Sequence, residues 1–160
     1  MTAFLEQIDV EAEYLLERGK PMPSKNHSRL ESRLARILGN SYEDKYETFV
    51  ELSLELTSGK ATPDLCIFLP EPSDWLEDEI RVKIAPLCVI EIVSPKQSTQ
   101  DLIDKLDLYF AAGVQSCWIV IPTFKMINVF HAKHDYKTFM TGELHDEKLG
   151  IQLKLEEVFK

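Results

Sequence analysis

Leu87-Cys88-Val89-Ile90-Glu91-Ile92-Val93-Ser94-Pro95 reads as a buried strand carrying one acid near its centre. Upstream, Thr62-Pro63-Asp64-Leu65-Cys66-Ile67-Phe68-Leu69 repeats the arrangement, with Asp64 as the embedded acid. An unpaired carboxylate in such a run is costly to bury. Two of them suggest a shared cation. At about 4 Å apart and a protein-like dielectric they would repel by ~4 kcal/mol. A divalent metal turns that repulsion into a binding site. Hard oxygen donors of this kind favour magnesium, with manganese as a substitute.

The next element outward is a helix from Gln100 to Ala112, started by Ser98-Thr99-Gln100-Asp101 and stopped at Gly113. On a helical wheel Leu102, Ile103, Leu106, Tyr109 and Phe110 form the apolar face. Lys105 lies at its edge beside Leu102 and Tyr109, while Asp101, Asp104 and Asp107 point elsewhere. Lys105 therefore reads either as a lysine that buries its stem and keeps its head in water or as an ammonium reaching toward Asp64 and Glu91. Lys96, just after Pro95, is a second lysine near the same strand end.

Toward the N-terminus, a helix is expected over Phe4 to Arg18, broken by Gly19-Lys20-Pro21-Met22-Pro23. A second is expected from about Lys25 to Leu38, ending at Gly39-Asn40. Leu30, Leu34, Ile37 and Leu38 share one of its faces. His27 and Glu31 fall on or beside that face, as a capping or partly exposed polar pair or as accessory groups lining a metal pocket. Arg29, Arg33 and Arg36 gather on another face, which reads as solvated. Val50 to Leu56 alternates as a half-buried strand, and Thr57-Ser58-Gly59-Lys60 turns into the Asp64 strand. Pro70 to Ile84 is an acidic insert containing Trp75, read as loop with a short strand at Ile80 to Ile84. Cys117 to Ile121 is a further buried strand. Met126 to His131 and Tyr136 to Met140 form a hairpin, Ile151 to Leu155 alternates, and Glu156 to Phe159 is a short helical turn. The order of elements implies an α/β architecture with a mixed β-sheet flanked by α-helices, in a single domain over residues 1–160.

Composition narrows the function. The formal net charge is −9, which weighs against a general polyanion binder and leaves room only for a local basic contact. No apolar run approaches the ~18 residues of a transmembrane helix. The acidic N-terminal stretch does not resemble a signal peptide. The three cysteines, Cys66, Cys88 and Cys117, sit in strand-like runs without metal-type spacing, as expected of core thiols in a reducing, cytoplasmic setting. No glycine-rich phosphate loop, Ser-His-Asp order or zinc cluster is present, and His27, His131, His134 and His145 have no ligand spacing.

Pro63-Asp64 followed by Glu91-Ile92-Val93 on the next core strand resembles the PD-(D/E)xK nuclease superfamily. The longer ordered set, Val89 to Pro95, then Asp101, Lys105-Leu106, Tyr109, Gly113-Val114 and Trp118-Ile119-Val120, resembles the Uma-type restriction endonuclease family within it. The resemblance implies a restriction-endonuclease-like core with a four- or five-stranded mixed sheet. It also implies a magnesium site held by Asp64, Glu91 and the carbonyl of Ile92, and DNA as the substrate. The superfamily lysine would stand at Val93; the resemblance implies its displacement to Lys105, with Lys96 as the other candidate. Two-fold symmetry is the simplest way for a one-site domain to cut both strands, so a homodimer is expected. The expected function is a metal-dependent DNA endonuclease. The alternative is a catalytically inactive binding or assembly module of the same fold, with a hydrolase of smaller phosphoesters more distant.

Overall fold

A computed structural model describes residues 10–17 and 19–160. Of the helix expected over 4–18, residues 10–17 are helical, and residues 1–9 and 18 lie outside the described residues. In chain order the elements are α1 (Lys25–Tyr42), β1 (Glu47–Val50), β2 (Leu54–Leu56), β3 (Gly59–Ala61), β4 (Leu65–Phe68) and β5 (Cys88–Ile92). There follow α2 (Thr99–Ala111), β6 (Ser116–Ile121), β7 (Met126–Ala132), β8 (Asp135–Phe139), β9 (Glu143–Asp146), β10 (Ile151–Lys154) and α3 (Leu155–Val158).

Six strands form one mixed sheet in the order β1-β4-β5-β6-β7-β8, one or two strands wider than the core expected from the sequence. β1 and β8 are its edge strands. β5 and β6 run parallel, and α2 makes the crossover that such a pair requires. The other neighbours are antiparallel. Side chains along β5 alternate between two cores. Cys88, Ile90 and Ile92 join Leu30, Leu34 and Leu38 of α1 and the β9–β10 hairpin on one face. Val89 joins Leu102, Leu106 and Tyr109 of α2 on the other. Glu91 has the parity of Val89, so it points toward α2.

Three sequence expectations need correction. The second helix runs through Gly39-Asn40 to Tyr42. Its last turn is held by a tertiary contact and by local bonds: the Tyr42 hydroxyl accepts from the Gln152 amide at 2.7 Å, and the Tyr42 carbonyl accepts from the Lys45 and Tyr46 amides of the following turn. These contacts outweigh the ~1 kcal/mol that a glycine costs inside a helix. The strand expected over Val50–Leu56 is broken at Glu51, whose φ of 56° lies in the left-handed region. The alternating pattern spans two separate strands, β1 and β2. The short strand expected at Ile80 to Ile84 reduces to a bridge of Val82 to Leu54, because the surrounding insert is exposed to solvent. β9 matches no expected element; four residues of mixed polarity carry little pattern.

The arginine face also differs. Arg33 donates to the carbonyls of Val158 and Lys160 at 3.1 and 2.7 Å, tying α1 to the C-terminus. Arg29 donates to its helix neighbour Asn26 at 3.0 Å. Among the described residues no helix is long and apolar enough to cross a membrane.

Candidate metal centre

Asp64 immediately precedes β4 and is 2 % exposed. Three donors hold its carboxylate. The Ile92 backbone N–H donates to Oδ2 at 2.7 Å, His27 Nε2 lies 3.0 Å from the same oxygen, and Lys20 Nζ donates to Oδ1 at 2.8 Å. His27 is buried on the first turn of α1, where the Ser24 side chain accepts its amide at 3.2 Å and fixes the start of the helix. Burial works against ionising Asp64, but the His27 hydrogen bond and the Lys20 charge outweigh it and lower its pKa. The same partnership acts in reverse on His27: burial opposes its charge, and the bond to Asp64 prevails and raises its pKa.

Lys20 also pairs with Glu51. The left-handed turn at Glu51 permits this. It interrupts the strand, aims the side chain into the site, and lets the Glu51 amide donate to the Asp64 carbonyl at 3.0 Å. A non-glycine residue in that conformation is strained, and such strain gathers at functional sites. Glu31, one turn after His27 on α1, completes the group. Ligand oxygens of Glu31, Glu51 and Asp64 all lie within 4.8 Å of one another. Burial, then the neighbouring Glu51 carboxylate, pushes the Glu31 carboxyl up to about 8. Its Oε1 is buried without a hydrogen-bond partner among the described residues.

Glu91, at 4 % exposure, faces the same space from β5. Tyr109 of α2 donates its hydroxyl to Glu91 Oε1 at 2.6 Å, and Lys105 Nζ stands 3.8 Å from that oxygen. Burial pushes the Glu91 carboxyl up to about 7; the Lys105 charge works against this shift and Asp64 adds to it. The space among these groups is narrow, about 10 Å³, walled also by Pro21, Pro23, Ser94 and Gln97. An open groove of about 550 Å³ adjoins it, sharing Pro21, Pro23 and Ser94.

Of the sequence-predicted residues, His27, Asp64 and Glu91 line one space, Glu31 approaches Asp64 through the carboxylate group it forms with Glu51, and Lys105 stands beside Glu91. At the site, Ile92 presents its amide to Asp64. Lys96 faces away: its side chain is 74 % exposed and pairs with Glu11 at 2.7 Å on the groove's rim. Sequence reasoning missed Lys20, Glu51 and the hydroxyl of Tyr109. Lys20 sits in a proline-flanked break with no periodicity to expose its direction, and Glu51 was absorbed in an alternating run. Tyr109 was read for its ring alone, although a tyrosine on a buried face usually needs a partner for its hydroxyl.

The donor set suits a hard divalent cation. It offers several carboxylate oxygens, one of them, on Glu31, buried without a partner among the described residues, and no thiolate among them. Burial, with the neighbouring carboxylates behind it, raises Glu31 and Glu91, and a bound cation would favour their ionised forms.

A family model described as "Putative restriction endonuclease", Uma2, matches residues 6–157. Among solved structures, the fold is similar to that of a protein from Anabaena variabilis described as "a putative nuclease belonging to DUF820". The two sequences are 22 % identical, the match covers 88 % of this chain and 83 % of the other, and the TM-score is 0.77. No curated protein matches the chain significantly.

Proposed function

Because the chain belongs to the Uma2 family of restriction endonucleases, we propose that it is a metal-dependent endonuclease that hydrolyses phosphodiester bonds in DNA. The observation that carries this reading is the pairing of two buried carboxylates, Asp64 just before β4 and Glu91 on β5, with a lysine, Lys105, 3.8 Å from Glu91. Magnesium, or manganese in its place, would be held by Asp64, Glu91 and the carbonyl of Ile92, with Glu31 and Glu51 as further carboxylates nearby. When bound, such an ion lowers the pKa of a water and offsets the charge on a phosphate.

The chain's own residues prepare that chemistry. The Ile92 amide and His27 fix the Asp64 carboxylate, and His27 with Lys20 keeps it ionised. Tyr109 orients Glu91 through a 2.6 Å hydrogen bond. Lys105 takes the role of the lysine missing at Val93: its ammonium, only partly buried, favours the ionised form of Glu91 and stabilises negative charge developing on the phosphate. A homodimer is the arrangement that would let one site per chain cut both strands. The three buried free thiols suit a reducing, cytoplasmic setting.

The test is cleavage of supercoiled plasmid by purified protein. Nicked or linear product should form with magnesium or manganese and vanish with chelator or with Asp64→Asn. Cleavage that persists in chelator, or an Asp64→Asn variant as active as the parent, would sink the reading.

A further inference from the structure

Among the described residues, Lys20 is the lysine that pairs with two carboxylates of the site at once. It is 6 % exposed, touches both Asp64 and Glu51, and neither the expected catalytic set nor the family motif includes it. We infer that Lys20 is a built-in occupant of the metal centre, an ammonium that a divalent cation must displace in order to bind.

The inference rests on the metal-centre reading above, and the geometry carries it further. Asp64 Oδ2 already accepts two donors, the Ile92 amide and His27, and Oδ1 accepts Lys20. A metal at Asp64 would bind through Oδ1 and share that oxygen with the ammonium, or would need one of the Oδ2 donors freed. The Ile92 amide belongs to β5 and cannot withdraw without breaking the sheet. His27 is fixed by its place in the first turn of α1. Lys20 alone comes from a segment without regular structure, residues 19–24, between the helical residues 10–17 and α1. Pro21 and Pro23 in that segment have no N–H to bond elsewhere. The ammonium is therefore the donor that can leave at least cost to the fold.

Charge favours the exchange in both directions. Without metal, the Lys20 ammonium sits between Asp64 and Glu51, with Glu31 beside them, and offsets part of that group's negative charge. A divalent ion placed among the same oxygens would stand within a few ångströms of that ammonium and repel it. The two cations exclude each other, and the segment around Lys20 swings with the outcome.

Lys20→Met keeps the apolar stem and deletes the competing charge. Titration calorimetry with manganese alone should show tighter binding by the variant than by the parent, by roughly tenfold or more, the scale of one charge-assisted hydrogen bond. A second measurement uses the unmutated protein. Amine-reactive labelling read by mass spectrometry should find Lys20 protected without metal and reactive with saturating magnesium, against exposed Lys148 as reference. Equal manganese affinity in parent and variant, or weaker binding by the variant, overturns the inference while leaving the metal centre standing. Lys20 labelling that magnesium does not change also overturns it. If neither protein binds manganese, the inference and the metal centre fall together.

Discussion

Glu91 is held by two residues of one helix, and the two make separable contributions. Tyr109→Phe removes the 2.6 Å donor and leaves a buried carboxylate short of a partner, which costs about 1–3 kcal/mol. Burial already pushes Glu91 up to about 7. Losing the donor pushes it further, so manganese affinity at pH 7 should fall, most visibly by calorimetry at pH 6.5 against pH 8. Lys105→Met keeps the stem that packs beside the core and deletes the charge. Metal binding should persist and plasmid cleavage should fall by ~100-fold or more, the scale of losing one preorganised charge-stabilising group. Lys96→Met should be far milder, because Lys96 pairs with Glu11 away from the site. If Lys96→Met is the crippling change, the lysine assignment is wrong. Lys105 was legible in the sequence because a helical wheel gives direction. Lys20 was not, because an irregular segment has no wheel, and only the folded chain shows where its side chain goes.

The elements repeat this division. α2 and the strands around it were legible because each carries one clear period: 3.6 on the helix, continuous apolarity in β4, β5 and β6. α1 was legible in its buried stripe but not at its end, where Tyr42 packing overrides a glycine. Gly39 has no positive φ and nothing within 4 Å of the position a Cβ would take. Gly39→Ala should therefore stabilise the protein by up to about 1 kcal/mol, seen as a rise in Tm of roughly 2–4 °C; a fall would mean that the turn needs glycine after all. Arg33→Gln should do the opposite. It removes the donor to two C-terminal carbonyls, and a loss of about 1 kcal/mol is expected, with faster amide exchange in α3. Arg36→Gln, on the exposed side of the same helix, should change neither. The left-handed Glu51 is the feature of this scale least visible beforehand, because an alternating run gives no sign that one residue in it must turn out of the strand.

At the scale of the whole molecule, the α/β architecture with its mixed sheet was legible from the order of elements, and the six-strand width was not, since edge strands carry weak patterns. The site gives the metal-free protein a stability that falls with pH. Glu91 and Glu31 have folded values near 7 and 8 against an ordinary 4.5, so between those limits the folded state holds protons that the unfolded state releases. Stability then declines as pH rises through that window. His27 acts in the same sense: its raised value contributes stability that is fully present below pH 6.5 and is lost as pH rises through the folded pKa. Asp64, with a lowered value, matters only in acid, where its contribution is lost. Thermal melts in chelator should therefore show Tm dropping by several degrees between pH 5.5 and 8. Magnesium should recover most of that loss, because it selects the ionised carboxylates. A flat profile would mean that Glu31 and Glu91 titrate as ordinary exposed acids.

The most direct test of the central claim is a crystal structure of the protein soaked in manganese, with the ion located by its anomalous scattering. One strong peak is expected between Asp64 and Glu91, within about 2.5 Å of a carboxylate oxygen from each, the outer range for hard-cation ligands. A saturated soak with no peak there, or a peak confined to surface acids such as those of the exposed insert, would contradict it.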